Sequence, residues 1–522
     1  MSQRLTAFSG GGWHSLSALY GMTAGALDAL EEKGGTRDLT SLFDDVDVIS
    51  ANSGGTWALT TLASSNAIND ALKTRAGSDA VTGSGYLGQV RKAFEQLPRF
   101  GEFDGALSYL NYLMSAEGGY NYNWQPLVED LTYRPAPDTP NGPFISDQVL
   151  NWTEGKPLVF ATGLSAAKAD GRLLPPQPLV VAQNQQALLF VNDVEAVARS
   201  NNIPEQAQLI PLSLELNSNS APGSIFRIPG SNQAGIDYRS SAGLIRTTTP
   251  IRSSGDASKL PLTFPSVMSS AALSPLGNSV PGQDAGNLAP LVGMARGTIL
   301  SYPSTLQLNN EQEAHASALQ RGLIRSMDGG FIDNSSVAYG LSTLQNDQGL
   351  NDNFKISSFI SKAESPDENW SDVQLNNGES IKLPFDVTML FGIGLDGEPL
   401  PNSDSYIKQD LFPPIMQPNA VLFEADALTG LASSPDWSYQ LDGTEWELQR
   451  WSIDVTTTEN KTFDIPAGIE GEISFFILSN PASDSMAFNS DVLDQYDQNY
   501  NNYRDALNSA EGSRLIEEAF NF

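Results

Sequence analysis

Short apolar runs alternate with helical patterns over the first 65 residues of the chain. Residues 5–8 and 46–52 are apolar runs of strand length, and residues 58–63 are helix formers. Between the two apolar runs, large side chains recur every three or four positions, as on one face of a helix: Leu16, Leu19, Tyr20, Thr23, Leu27 and Leu30. This order of strand, helix, strand and helix predicts a mainly parallel sheet with helices on its faces, the α/β class.

The same patterns predict further elements along the chain. Apolar runs at residues 156–162, 385–394 and 473–478 predict strands, and residues 511–520 predict a terminal helix. A run of small residues at 263–275 predicts a helix that ends at its last residue, a proline. The first helix also carries small residues that would let it pack closely on the sheet: Gly21, Ala24 and Gly25.

No internal repeat or linker divides the chain, so we expect one large domain over residues 1–522 with two insertions. Residues 84–124 are rich in aromatics and glycine, which favours either a lid over an apolar acyl channel or plain helical core packing. Residues 168–260 are rich in Pro, Ser, Gly and Asn, and predict an accessory region of long loops and small strands outside the main sheet.

Composition limits the functions open to the protein. With 40% hydrophobic residues the chain predicts a globular fold, and its formal net charge of -32 disfavours nucleic acid and anionic headgroups as partners. It has no Cys and two His, His14 and His315, which excludes disulfides, thiol chemistry and His-rich metal centres. We therefore expect no cofactor and no metal.

The hydropathy pattern also bears on location. The chain has no uninterrupted apolar stretch of about 18 residues and no apolar signal core near its first residue. We expect no transmembrane segment and a cytoplasmic protein, although leaderless export would leave the same pattern.

A single serine follows the second predicted strand. Ser53 stands between that strand and the next helix, with the small residues Ala51, Gly54 and Gly55 around it. A strand that turns sharply into a helix around a serine is the layout of a nucleophile elbow, in which the helix N-terminus faces the reacting oxygen. The alternative is an ordinary turn with a capping serine.

Three consecutive glycines, residues 10–12, follow the first predicted strand. The backbone N–H groups of such a loop bind phosphates or stabilise an oxyanion. The spacing matches neither G-x-x-x-x-G-K-[ST] nor G-x-G-x-x-G, which disfavours a nucleotide. With a serine nucleophile nearby, Gly11 and Gly12 are the expected oxyanion donors, and a flexible turn is the alternative.

The base that would activate Ser53 needs its own candidate, because a serine hydroxyl is a weak nucleophile until a base takes its proton. Neither His14 nor His315 fits the Ser, Asp, His order of a standard α/β-hydrolase triad. A buried carboxylate can act as the base directly. Asp328 is the candidate, since the two glycines after it would let it sit at a crowded site, and a simple turn is the alternative.

These short motifs together resemble the patatin-like phospholipase superfamily, and its cytosolic phospholipase A branch in particular. The matching segments are residues 9–13, 51–57 and 328–330. The small-residue run at 269–272 is also similar to the segment that precedes the catalytic aspartate in that superfamily.

The resemblance implies both a fold and a chemistry. The fold is a three-layer α/β sandwich with a mainly parallel central sheet, loop-rich insertions and a lid. The chemistry is lipid acyl hydrolysis with Ser53 as nucleophile, Asp328 as base, and an oxyanion hole at Gly11 and Gly12.

Two further residues are expected to contact the substrate. One is Gly54, directly after the nucleophile. The other is His14, which stands where the family has an Arg or Lys that meets the substrate phosphate. Histidine is largely neutral near pH 7, so neutral glycerolipids join phospholipids as expected substrates.

The sequence therefore predicts a carboxylic ester hydrolase of phospholipase A or lysophospholipase type. It would act on a lipid or lysolipid at a transient membrane or micelle surface. Two alternatives come from other classes of protein: a lipid-binding or interaction protein of the same fold with little turnover, and a phosphate-binding protein that uses residues 9–12.

Overall fold

The computed structural model of the chain describes more than half of its residues. They are residues 2–74, 81–103, 109, 112–113, 117–120, 124–136, 138, 149–166, 208–217, 224–227, 237–240, 243–246, 263–270, 324–362, 370–400, 405–408, 415–418, 420–440, 446–460, 463–479 and 490–522.

A ten-stranded sheet forms the centre of the molecule. The strands within the described ranges are β1 Arg4–Phe8, β2 Val48–Asn52, β3 Leu158–Ala166, β4 Gln208–Leu216, β5 Ser224–Arg227, β6 Asp237–Ser240, β7 Gly243–Arg246, β8 Ile324–Asp328, β9 Phe354–Lys362, β10 Trp370–Gln374, β11 Ser380–Pro384, β12 Ser405–Lys408, β13 Ile415–Pro418, β14 Trp437–Gln440, β15 Glu447–Thr456 and β16 Glu470–Ser479.

Parallel strands occupy the middle of this sheet and antiparallel strands its flanks. The order is β14-β15-β16-β9-β1-β2-β3-β4-β5, with β8 paired to β3 off this path. The neighbours from β16 to β3 are parallel, whereas β14, β15, β4, β5 and β8 join antiparallel. The pairs β6–β7, β10–β11 and β12–β13 are separate hairpins.

Helices cover both faces of the sheet. The α-helices within the described ranges are α1 Gly12–Glu32, α2 Leu39–Leu42, α3 Gly54–Ser64, α4 Asn66–Lys73, α5 Tyr86–Glu95, α6 Trp124–Val128, α7 Thr263–Ser269, α8 Gly330–Asp333, α9 Val337–Gln348, α10 Phe385–Thr388, α11 Asp426–Thr429, α12 Ser490–Leu507 and α13 Ala510–Phe520. A π-helical turn spans Glu129–Tyr133, and 3-10 turns span Asn151–Thr153 and Met389–Phe391.

Two apolar cores lie on opposite faces of the sheet, because successive residues of a strand point to opposite sides. In β3, Leu158 and Phe160 pack into one core with α1, α3, α12 and α13. Val159 and Ala161 pack into the other core with α9. The result is a helix–sheet–helix sandwich, which confirms the predicted α/β class with a parallel sheet at its centre.

Helix α1 is buried on all sides rather than along one stripe, since every residue from Trp13 to Leu30 is buried. Gly21 and Gly25 face α12 and not the sheet, so the predicted packing partner was wrong for these two residues. A Cβ on Gly21 would lie 2.3 Å from the Tyr500 carbonyl oxygen. A Cβ on Gly25 would lie 2.9 Å from the Leu507 Cβ.

Several other predictions can be compared with the structure. The predicted strands in β3 and β16 and the terminal helix α13 are confirmed. The strand predicted at 385–394 is wrong: this run forms α10 and a 3-10 turn, starting after Pro384 at the end of β11. Every residue of the run except Gly392 is buried, and a buried helix and a buried strand have the same hydropathy pattern.

The two predicted insertions are only partly described. Within 84–124, α5 places Tyr86 and Phe94 in the core beside α1. Most of 168–260 lies outside the described residues. Its strands β4 and β5 belong to the main sheet, so their placement outside that sheet was wrong, whereas β6 and β7 form a separate hairpin as predicted. The predicted helix at 263–275 is present as α7, and its proline end lies outside the described residues.

None of the helices in the described ranges is both long and apolar enough to cross a bilayer.

Candidate active site

Ser53 is the hinge between β2 and α3, and its backbone is strained. Its backbone angles, a φ of 46° and a ψ of -122°, lie in a region that residues other than glycine rarely adopt. The Ser53 N–H donates to the Ser269 hydroxyl at 2.8 Å, and that hydroxyl donates to the carbonyl of Ala161. A serine held by its neighbours in a strained strand-to-helix turn has the geometry of a nucleophile elbow.

The glycine loop after β1 packs directly on the start of α3. A Cβ on Gly54 would lie 2.0 Å from the Gly12 carbonyl oxygen, and a Cβ on Gly55 would lie 2.7 Å from the Ser9 carbonyl oxygen. Only glycines allow this approach. The loop therefore lies against the turn that carries Ser53.

In this loop Gly11 is exposed and Gly12 is half-buried. The amides of Ser9 and Gly10 donate to the carbonyls of Phe359 and Asn334, each at 3.0 Å. The amides of Gly11 and Gly12 donate to no residue in the described part of the chain. Gly12 also begins α1, so the positive end of that helix dipole points to the same place.

Asp328 reaches Ser53 because β2 and β8 share one edge of β3. Asn52, the last residue of β2, is opposite Ala161. Asp328, the last residue of β8, is opposite Thr162, the next residue of β3. The two strands run in opposite directions and meet end to end, which brings Ser53 and Asp328 together from 275 positions apart.

The Asp328 carboxylate is buried, with 6% of its surface exposed. This burial raises its pKa to about 6, even though the hydrogen bond from the Gly330 N–H and the nearby side chains of Ser53 and Asn52 lower it. The Gly330 N–H lies 2.8 Å from Oδ1. A carboxyl group with a pKa near 6 is ionised at neutral pH and still accepts a proton readily.

Aromatic side chains line the helices next to the glycine loop. The Trp13 ring lies 4.5 Å from the Trp57 ring and 4.8 Å from the Phe94 ring, between ring centroids. Trp57 Nε1 donates to the Ser270 hydroxyl at 3.1 Å, which ties α3 to the residue after α7. All three rings are buried in the core that α1, α3 and α5 share.

The two predicted substrate contacts, Gly54 and His14, have different positions. Gly54 lies beneath the Gly12 backbone, next to Ser53. His14 is 3% exposed and packs against α12, where Nδ1 lies 3.1 Å from Asn499 Nδ2 and the ring meets Tyr496 edge to face at 5.4 Å. These are the surroundings of a histidine between two helices, and they argue against contact with a bound headgroup.

Asn52, Asn334 and Ser269 also belong to the site, although the sequence reasoning did not assign them a role. Asn52 Nδ2 donates to Asn334 Oδ1 at 3.0 Å, and Ser269 holds the Ser53 amide. The sequence did contain a signal for Asn52, because this amide ends a largely apolar predicted strand. A buried polar side chain needs hydrogen-bond partners, so its position indicates that other polar groups lie nearby.

In the part of the chain that the structure describes, no cluster of three or more His, Cys, Asp or Glu side chains is placed to hold a metal ion. The fold and the site define an α/β protein with a serine elbow beside a buried carboxylate and an open glycine loop.

Comparison with known proteins adds little to this definition. No family model matches the chain, and no curated protein matches it. Among solved structures, human GIVD cytosolic phospholipase A2 aligns over 100% of this chain and 63% of that protein, with 12% identity and a TM-score of 0.37. The chain thus spans less than two thirds of that protein's length, and a TM-score of this size does not establish a common fold.

Proposed function

We propose that the protein is a serine-dependent hydrolase that cleaves carboxylic ester bonds of acyl lipids. The observation that carries the proposal is the strained elbow of Ser53 next to a buried carboxylate whose pKa is about 6. A strained backbone and a buried ionisable carboxylate each lower the stability of the fold, and such destabilising features are concentrated at active sites.

The reaction has two halves. Asp328 takes the Ser53 proton as the hydroxyl oxygen attacks the ester carbonyl, and the negative oxygen that forms accepts hydrogen bonds from the Gly11 and Gly12 amides. The alcohol then leaves with the proton from Asp328. Water, deprotonated by the same carboxylate, then attacks the acyl-serine, and the proton passes from Asp328 to the departing Ser53 oxygen as the fatty acid is released.

The substrate class follows from the surroundings of the serine. Trp13 follows Gly12 directly and Trp57 is four residues after Ser53, and both belong to the apolar core there, which suits an acyl chain. The net charge of -32 disfavours anionic headgroups, and buried His14 leaves no reason to require a phosphate. A phospholipid or lysophospholipid with a zwitterionic headgroup and a neutral glycerolipid fit these conditions.

The experiment combines hydrolysis with covalent labelling. Wild type should hydrolyse a short-chain ester and lysophosphatidylcholine, and a fluorophosphonate should label Ser53, as identified by peptide mass spectrometry. Ser53→Ala should abolish labelling, and Ser53→Ala and Asp328→Asn should both abolish hydrolysis. Ser438→Ala, at an exposed position in β14, is the matched control and should change neither.

Two results would refute the hydrolase. One is full activity in Ser53→Ala, and the other is labelling at another serine that survives this substitution. Tight lipid binding by wild type without labelling or turnover would instead favour a lipid-binding protein.

A further inference from the structure

Two asparagine amides form the point where the three motifs of the site meet. Asn52 Nδ2 lies 3.0 Å from Asn334 Oδ1. Glycines from two motifs make room for this pair. A Cβ on Gly10 would lie 2.2 Å from Asn334 Oδ1 and 2.9 Å from Asn52 Nδ2, and a Cβ on Gly330 would lie 2.7 Å and 3.0 Å from the same two atoms.

The orientation of both amides is fixed by Asp386 in α10. Asn334 Nδ2 lies 2.8 Å from Asp386 Oδ2. A carboxylate oxygen only accepts, so Asn334 turns its NH2 group to Asp386 and its oxygen to Asn52. Asn52 must then present its own NH2 group to Asn334.

The oriented amide pair contacts the surroundings of two parts of the proposed active site, the Asp328 carboxylate and the glycine loop. Asn52 also lies beside the Asp328 carboxylate. A Cβ on Gly330 would lie 3.0 Å from both Asn52 Nδ2 and Asp328 Oδ1, and the Asn52 side chain lowers the pKa of Asp328. The backbone carbonyl of Asn334 accepts the Gly10 N–H at 3.0 Å and so anchors the glycine loop. The hydrogen bonds that run from Asp386 through Asn334 to Asn52 thus end next to the Asp328 carboxylate.

We propose that Asn52 and Asn334, oriented by Asp386, are positioning residues that hold the Asp328 carboxylate ionised and aimed at Ser53. This inference rests on the proposed function. None of the three side chains needs to touch the substrate. Their effect passes through Asp328 and, by way of the Gly10 amide, through the glycine loop.

The inference predicts a change in the protonation of Asp328. The Asn52 N–H favours the ionised carboxylate, so its loss should raise the pKa of Asp328. The other titratable groups around this carboxylate are Tyr339, whose hydroxyl donates to the Thr162 carbonyl at 2.6 Å, Asp333, and Asp386 beyond Asn334. Substituting Asn52 changes none of them.

The first test is the pH dependence of kcat/KM for a short-chain ester between pH 5 and 9. In Asn52→Ala the midpoint of the acid limb should move upward by about one pH unit. Asp386→Ala should move it in the same direction, and Asp386→Asn should restore it, because its side-chain oxygen still accepts from Asn334. The matched control is Asn346→Ala, an amide in α9 that bonds the Ser342 carbonyl at 2.7 Å, and its midpoint should equal that of wild type.

A purely structural role for the amides would lower activity without moving the midpoint, and an unmoved midpoint in Asn52→Ala overturns the proposal. A second measurement does not depend on turnover. The loss of unfolding free energy caused by Asn52→Ala is measured at pH 8 in the wild-type and Asp328→Asn backgrounds. A smaller loss in the Asp328→Asn background supports the coupling, and equal losses contradict it.

The two experiments separate this inference from the proposed function. If Ser53→Ala retains full activity, the hydrolase proposal fails, while the stability cycle still reports whether Asn52 acts on Asp328. If Ser53→Ala is inactive and the cycle shows no coupling, the hydrolase stands and the positioning role fails.

Discussion

Gly54 and Gly12 are in backbone contact: a Cβ added to Gly54 would lie 2.0 Å from the Gly12 carbonyl oxygen. The residue after the elbow serine therefore fixes how close the glycine loop comes to Ser53. A side chain at this position cannot be accommodated unless the loop moves away.

We predict that Gly54→Ala lowers kcat/KM by about 100-fold, because displaced Gly11 and Gly12 amides lose their aim at the developing oxyanion. The melting temperature should also fall, since overpacking a tight site is destabilising. Gly430→Ala is the control, because a Cβ there would meet no atom closer than 3.2 Å. Wild-type activity in Gly54→Ala would remove the glycine loop from the mechanism.

The activity should depend on pH through Asp328. Burial raises the pKa of this carboxyl to about 6, and only its ionised form can accept the Ser53 proton. We expect kcat/KM to be constant above about pH 7 and to fall about tenfold from there to pH 5. Circular dichroism at pH 5 should show a folded protein, and a flat profile across this range would contradict Asp328 as the base.

The same residue should make the protein less stable at neutral pH than at low pH. In the unfolded chain Asp328 releases its proton near its ordinary pKa of 3.8, whereas in the folded chain it keeps the proton up to about 6. The free energy of unfolding therefore falls as pH rises from about 4 to about 6.

The substitution Asp328→Asn should remove this pH-dependent loss of unfolding free energy, because the amide does not ionise. We expect the variant to gain up to about 3 kcal/mol relative to wild type between pH 4 and pH 8, as measured by urea unfolding. Asp333, also buried with a pKa of about 6, is present in both proteins and cancels in the comparison. A stability difference that does not change with pH would contradict the burial of an ionised carboxylate.

A buried ion pair fastens α12 to α1. The side chain of Asp28 is 1% exposed and accepts Arg504 Nε at 2.6 Å and Asn508 Nδ2 at 3.0 Å. Burial by itself would raise the pKa of Asp28, but the hydrogen bonds from Arg504 and Asn508 and the charge of Arg37 lower it overall. Removing Arg504 would leave a buried carboxylate with fewer partners.

We predict that Arg504→Met lowers the free energy of unfolding by about 3 kcal/mol, and that adding Asp28→Asn recovers part of the loss. Arg514→Met is the control. It breaks ion pairs with Glu511 and Glu518 whose side chains are about half exposed, so the melting temperature should change little. Equal effects of the two arginine substitutions would show that the Asp28 pair does not anchor α12.

The local parts of the site could be predicted from the sequence because their causes are local. Gly54 is needed where two backbones touch, and Gly12 has a φ of 58°, which favours glycine. The elbow of Ser53 is encoded by the apolar run before it and the helix formers after it. The two glycines after Asp328 have a similar origin, since a Cβ at Gly329 or Gly330 would run into the Asn52 amide.

The non-local parts could not be predicted in this way. Nothing in the residues around Asp328 shows that β8 pairs antiparallel with β3. Nor does anything there show that Asp328 lies opposite Thr162, one residue after the partner of Asn52. Helix α12 did leave a signal, because its buried residues recur every three or four positions: Leu493, Tyr496, Tyr500, Tyr503 and Leu507. Its many Asn, Gln and Asp residues hid that pattern.

The pairing of α1 with α12 also has a consequence for how the protein is made. His14 and Asn499 lie 485 positions apart, so a ribosome builds α1 and the elbow long before the helix that covers α1. Until then the nascent chain carries an apolar helix without its partner, a surface of the kind that chaperones bind. Synthesis interrupted before residue 490 would leave that helix uncovered however well the earlier segments had folded.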